Sequence, residues 1–256
     1  MSTLKLTLLQ QPLVWLDAPA NLRHFDMLLA PIQQRDVIVL PEMFTTGFAM
    51  NAAENALPAA DIIDWLRHWS ARTDALIGGS VALKTPDGAV NRFLLVEPSG
   101  KVHHYDKRHL FRMAGEHHHY QAGKTREIVA WRGWRILPQV CYDLRFPVWS
   151  RNLQDYDLAL YVANWPAARA KHWQTLLAAR AIENQAYVAG CNRIGDDDNG
   201  HHYQGDSVIL DAQGEILAQA APGQAAQLDA QLSLATLQTY REKFPAFRDT
   251  DKFLLV

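Results

Sequence analysis

Along the chain, short runs of Leu, Val and Ile alternate with longer stretches whose apolar positions recur every three or four residues. The runs "LKLTLLQQ", "DVIVLPE", "ALIGGSVAL", "VNRFLLVEP", "KVHHYDK", "WRILPQVCYD", "DLALYVAN" and "AYVAGCNRIG" predict strands, and "SVILDAQGEILAQA" predicts a strand pair turning at "AQG". The longer period predicts helices over 18–33, 59–72, 147–154 and 167–186. The last of these, "KHWQTLLAARAIENQA", follows Pro166, a residue suited to a helix start. Many strands mixed with few helices point to an α/β layered domain. "PSG" at 98–100 reads as a second hairpin turn and "GDDDNGHH" at 195–202 as a polar loop. No repeat, low-complexity tract or linker interrupts the pattern, so residues 1–256 are expected to form one domain.

Composition narrows the class of protein. A hydrophobic content of 48% with 20% charged residues is that of a folded globular chain rather than a disordered one. The net charge is only -2, so totals offer no basic surface for nucleic acid. No apolar run approaches the roughly 20 residues of a spanning helix. Gln10, Gln11 and Pro12 interrupt the N-terminal stretch too early for a secretory segment. A cytoplasmic protein with no membrane partner is therefore expected. The chain has two cysteines, Cys141 and Cys191, which rules out a disulfide framework and makes a single bridge improbable in such a chain.

Candidate chemistry lies at three predicted strand ends. Cys141 closes one apolar strand, Glu42 follows "DVIVLP" and Lys107 follows "KVHHYD". In layered α/β proteins, ligands bind where strands end, so all three are expected at one edge of the core. A thiol becomes a useful nucleophile when a base takes its proton or a cation stabilises the thiolate, and an acid and an amine supply both. Attack on an amide carbon also needs donors for the developing oxyanion, which the Lys107 ammonium and the Tyr142 backbone N–H provide. Taken singly, each residue has a plainer reading. Cys141 would be a small buried hydrophobe, and Glu42 and Lys107 would be solvated charges. Together they reverse it. Cys191, inside "YVAGCN", keeps the plain reading. The paired and triple histidines suggest a metal site, but adjacent histidines project to different sides, so neither metal nor cofactor is expected. A cysteine hydrolase with His109 or His117 as its base is a rival reading, and it leaves Glu42 and Lys107 unexplained.

The segments "LPEMFTTGF", "YDKRHLF", "CYDLRFP" followed by "ANWPAAR", and "ARAIENQAYVAGCNRIG" together resemble the nitrilase superfamily of carbon–nitrogen hydrolases, over roughly residues 4–247. The resemblance implies a four-layer α-β-β-α sandwich, a Glu-Lys-Cys catalytic set without metal, and dimers that stack their sandwiches into eight layers. It assigns the base to Glu42, the lysine to Lys107, the nucleophile to Cys141 and a second glutamate to Glu116, which would orient Lys107 or the leaving group. Within the superfamily, "CYDLRFP" and "NWP" look like the omega-amidases, which deamidate 2-oxoglutaramate and 2-oxosuccinamate. An aliphatic or N-carbamoyl amide substrate is the alternative. With the chain ending at Val256, the synthetase domain found in some relatives is not expected.

For the substrate, Phe44, Tyr142 and Trp165 are expected to wall a compact pocket. Arg145 is expected either to hold a substrate carboxylate as a bidentate pair or to form a structural ion pair with Asp143 or Glu183.

Overall fold

The computed structural model describes residues 3–251 and 253. The first half of the chain runs β1 (Thr3–Gln10), α1 (Ala18–Leu29), β2 (Val37–Val39), α2 (Ala52–Asn55), α3 (Ala59–Thr73), β3 (Leu76–Thr85), β4 (Gly88–Val96) and β5 (Val102–Asp106). It continues through β6 (Val129–Trp131), β7 (Trp134–Val140), α4 (Pro147–Ser150), β8 (Leu158–Ala163), α5 (Ala170–Asn184) and β9 (Tyr187–Asn192). The remainder is β10 (Ile194–Asp196), β11 (His202–Gln204), β12 (Val208–Leu210), β13 (Ile216–Gln219), β14 (Ala226–Ser233) and α6 (Leu234–Lys243). One six-stranded sheet has the order β14-β1-β2-β3-β4-β5 and a second has the order β13-β12-β9-β8-β7-β6. β10 and β11 form a hairpin separate from both.

The alternation of side chains along each strand makes this a sandwich. Leu4, Leu6 and Leu8 of β1 and Val37 and Val39 of β2 pack into one buried cluster with Leu158, Leu160 and Val162 of β8 and with Ala189 and Cys191 of β9. The intervening residues face the other way. Leu9 and Ile38 pack with Phe25 of α1 and with Ile62, Leu66 and Trp69 of α3. Ala159, Tyr161 and Val188 pack with Trp173 and Leu177 of α5. Helices therefore cover the outer faces, the two sheets meet at the centre, and the expected α-β-β-α order is present.

The elements differ from the sequence reading mainly at their ends and where the apolar signal is thin. The first predicted helix stops at Leu29, and the one predicted over 147–154 is the single turn Pro147–Ser150. The helix predicted from 167 begins as a 3-10 turn at Ala167–Arg169 and becomes α-helical at Ala170. "AYVAGCNRIG" divides at Arg193 into β9 and β10, so the polar loop is the tip of the β10–β11 hairpin. β14 was missed. Leu228 and Leu232, its two buried residues, are four apart, a spacing that suits a helix as well as a strand. Pairing along all eight residues of β1 decides for the strand.

Close approach of β3 to β4 holds the middle of the first sheet in register. A Cβ added at Gly78 would lie 1.8 Å from the backbone oxygen of Leu94, where only backbone movement makes room. Gly78→Ala is accordingly expected to lower stability by about 2 kcal/mol or more, measured by urea unfolding. A variant within about 0.5 kcal/mol of the unmodified protein would show that this contact is not a constraint.

Candidate active site

Glu42 lies three residues beyond β2, Lys107 directly follows β5, and Cys141 directly follows β7. The first two come from one sheet and the third from the other, so the site forms where the ends of the two sheets meet. Glu116 arrives on a 3-10 turn, Glu116–His118. Lys107 is fully buried between the two acids, with Nζ 3.0 Å from Glu42 Oε1 and 3.0 Å from Glu116 Oε2. A Phe48 ring faces the ammonium at 4.9 Å. Burial works against the Lys107 charge, but the carboxylates of Glu116 and Glu42 outweigh it, and its pKa moves up. For Glu116, burial raises the pKa against the opposing pull of Lys107.

Glu42 is held from three elements. Oε1 accepts from Asn91 Nδ2 of β4 at 2.8 Å as well as from Lys107. Oε2 accepts from the backbone N–H of Asn164, just past β8, at 2.7 Å. The Asn164 side chain donates to the Glu42 carbonyl, also at 2.7 Å. The second sheet thus clamps the acid of the first. Sequence reasoning missed Asn91 and Asn164, although Asn164 occupies the same kind of strand-end position that singled out Glu42, Lys107 and Cys141.

The nucleophile candidate sits on a tight corner. Cys141 has a φ of +46°, in the left-handed region that a Cβ makes costly. It opens a 3-10 turn, Cys141–Arg145, that projects from the end of β7. Asp143 secures this corner: it is fully buried, and its Oδ2 accepts from Tyr105 Oη at 2.8 Å and from the Val140 N–H at 3.1 Å. Its Oδ1 accepts from the His109 N–H at 2.9 Å and lies 2.8 Å from His109 Nδ1. Asp143 therefore ties the cysteine turn to the segments on both sides of Lys107. Burial pushes the Cys141 thiol well up, and Glu42 adds to this by its charge while Lys107 opposes it.

Cys141 is partly accessible at a cleft of about 390 Å³, whose lining includes Lys107, Tyr142, Arg145, Asn164, Trp165 and Arg169. Two of the three expected aromatic walls, Tyr142 and Trp165, are present. Phe44 is not a wall. The turn after Glu42, with Met43 at a φ of +44°, sends Phe44 back under the sheet. There it is fully buried, edge-on to Phe25 and tilted against Trp65. Phe48 and Phe111 line the cleft instead.

Arg145 makes neither of the ion pairs considered for it. Asp143 is occupied as described, and Glu183 pairs with Arg180. The Arg145 guanidinium lies over the Trp165 ring at 4.8 Å, and Nη2 is 3.0 Å from His172 Nδ1. The histidines proposed as a rival base are engaged with other rings: His109 stacks on Phe146 beside Asp143, and His117 is tilted against His118. Cys191 is buried within β9, with its thiol 3.5 Å from the Leu9 carbonyl. Among the described residues, no three His, Cys, Asp or Glu side chains gather as a metal-binding group. No helix among them is long and apolar enough to cross a membrane.

Comparison with known proteins identifies the family. The family model described as carbon-nitrogen hydrolase matches residues 5–242. The chain is 88% identical to an omega-amidase of Yersinia enterocolitica over 256 residues, all of both proteins. It is 32% identical to a 2-oxoglutaramate amidase of Bacillus subtilis over 228 residues, 86% of each chain. A CN-hydrolase superfamily protein from Xanthomonas campestris, solved with an arsenic adduct in its active site, superposes with a TM-score of 0.97 at 44% identity over the whole of both chains.

The electrostatics yield a spectroscopic expectation. With its pKa raised, Cys141 is held as the neutral thiol at neutral pH. The ultraviolet difference spectrum between the unmodified protein and Cys141→Ala should then show no thiolate band. A band there would mean that Lys107 outweighs burial and the acids.

Proposed function

Because the chain belongs to the carbon–nitrogen hydrolase family, we infer that it hydrolyses the terminal amide of small 2-oxo acid monoamides such as 2-oxoglutaramate. The products are the dicarboxylic 2-oxo acid and ammonia. The observation that carries the amidase chemistry is the Lys107 ammonium held between two buried carboxylates at a cleft that also exposes Cys141. The names of the relatives, and the two guanidinium groups in the same cleft, support the acidic monoamide as substrate.

In this reading the Cys141 Sγ attacks the amide carbon as its proton passes to Glu42. A resting thiolate beside two carboxylates and a single ammonium is unfavourable, so proton transfer accompanies attack. The carbonyl oxygen takes up the displaced electron pair and is stabilised by Lys107 and the Tyr142 N–H. Glu42 returns the proton to the amide nitrogen, the C–N bond breaks, and ammonia leaves a thioester. Water then loses a proton to Glu42 as its oxygen attacks the thioester, and the collapse releases the acid and restores the thiol. Glu116 orients Lys107 through its ion pair. Trp165 and Tyr142 bound the substrate, and a guanidinium group of the cleft receives its carboxylate.

We propose in addition that residues 1–256 act as one catalytic domain and that the enzyme works as a homodimer in the cytoplasm. Exposed Val148, Ile182 and Ile216, at 53%, 53% and 57%, offer apolar surface for a second copy. Two free cysteines suit a reducing compartment.

Two experiments test the catalytic reading. Cys141→Ala should keep its fold by circular dichroism and release no ammonia, and Glu42→Gln should lose at least about a hundredfold in kcat. Near-normal kinetics in Glu42→Gln would move the base role to another residue. For the substrate, kcat/KM for 2-oxoglutaramate or succinamate should exceed that for butyramide by roughly a thousandfold, because the neutral amide leaves a cation without its partner. Equal values would point to an aliphatic amidase.

A further inference from the structure

The cleft contains two guanidinium groups, and their surroundings differ. Arg145 is engaged: one nitrogen is 3.0 Å from His172 Nδ1, and its charged plane covers the Trp165 ring at 4.8 Å. It braces the wall that Trp165 forms. Arg169 lines the same cleft, yet among the described residues no oxygen or nitrogen acceptor meets its guanidinium. Its charge lies over the Phe111 ring, 5.4 Å from the ring centre.

The backbone of Arg169 is nevertheless fixed. Its carbonyl accepts from Trp165 Nε1 at 2.8 Å, and the residue closes a 3-10 turn at the start of α5. Phe111 beneath it is fixed as well, because its N–H donates to Glu116 Oε2, the acid paired with Lys107. Edge contact with Tyr142, 5.0 Å between ring centres, holds the same ring from the side. An arginine whose root and platform are held, whose donors are unspent and which faces a substrate cleft is prepared to receive a planar oxyanion through two parallel N–H···O bonds. The aromatic face leaves those donors free, whereas a neighbouring carboxylate would have consumed them.

The geometry points to Arg169, rather than Arg145, as the residue that binds the substrate's distal carboxylate and so sets the preference for acidic monoamides. This rests on the monoamide reading above and names the side chain that enforces it. Through Phe111 and Glu116 the carboxylate anchor is tied to the Lys107 cluster, so substrate length is measured against the reacting centre. An amide whose carboxylate lies too near or too far makes one contact at the expense of the other.

The test compares succinamate with butyramide as the ratio of their kcat/KM values in four proteins: unmodified, Arg169→Met, Arg169→Lys and Arg145→Met. In Arg169→Met the ratio should fall about a hundredfold or more, mainly through KM for succinamate. Arg169→Lys, which restores the charge without the fork, should recover part of it. Arg145→Met should keep the ratio even where both rates fall together through a loosened Trp165. A ratio preserved in Arg169→Met and lost in Arg145→Met would overturn the assignment while leaving the acidic substrate in place. A ratio near one in the unmodified protein would instead overturn the monoamide reading itself, and the anchor with it. Thermal unfolding of each variant, with Arg169→Lys as the least disruptive change, separates loss of binding from loss of fold.

Discussion

A single buried ammonium organises this end of the molecule. Lys107 has no exposed surface, and an unpaired charge at such depth costs several kcal/mol. Glu42 and Glu116 offset that cost only when both stand about 3.0 Å from Nζ. Meeting this condition restricts the backbone widely. β2 and β5 are separated by β3 and β4 in the sheet, so the acid and the amine reach each other only if all four strands keep their register. Asn91 on β4 bridges them, accepting from the Lys107 N–H through its carbonyl and donating to Glu42 through its side chain. Asn164 then joins the other sheet to the same carboxylate. The ion cluster and the sandwich therefore support each other: the apolar core between the sheets positions the charges, and the charges fix how the sheet ends meet.

The same arrangement places the thiol under tension of two kinds. A residue with a Cβ at a φ of +46° carries a conformational cost of about 1–3 kcal/mol, which surrounding contacts must hold in place. Asp143 supplies those contacts through a carboxylate that receives hydrogen bonds from Tyr105, Val140 and His109. The second tension is electrostatic. Burial and the two acids next to Cys141 keep its proton on against the pull of Lys107, so the sulfur becomes a nucleophile as that proton is taken. A bound carbonyl, whose oxygen draws charge toward Lys107, makes the transfer favourable. That suits a hydrolase whose thiol would otherwise meet every electrophile entering the cleft.

Recognition and chemistry share residues here. Glu116 pairs with Lys107 on one side and accepts from the Phe111 backbone on the other, so the ring that lines the cleft is positioned by the catalytic cluster. Tyr142, next to the nucleophile, packs between Phe111 and Phe146. Trp165, next to Asn164, is fixed by its N–H to Asn192 Oδ1 at 2.8 Å. Aromatic rings built directly onto the reacting turns leave little freedom for the walls to move independently of the chemistry.

Much of this was legible in the amino-acid order. Runs of Leu, Val and Ile marked the central strands because each must send side chains to both a sheet-facing and a helix-facing layer, and Glu42, Lys107 and Cys141 were legible because each follows a predicted strand. Spacing alone also determined that Cys191 belongs to the core, since it lies within a strand rather than at its end. Other features required the folded chain. β14 stayed hidden because Leu228 and Leu232 carry a period common to helix and strand, and only pairing with β1 distinguishes the two. Phe44 was misplaced because a left-handed residue at Met43 reverses its direction, a backbone choice no hydrophobic pattern encodes. Asn91, Asn164 and Asp143 are ordinary polar residues in sequence, and their importance arises from hydrogen bonds to groups 49, 122 and 38 positions away. The order of residues marked most strands of the two large sheets and what stands at their ends. Which ends meet, and which of the two cleft arginines meets no acceptor among the described residues, was decided by packing one sheet on the other, because those contacts join residues that sequence proximity does not relate.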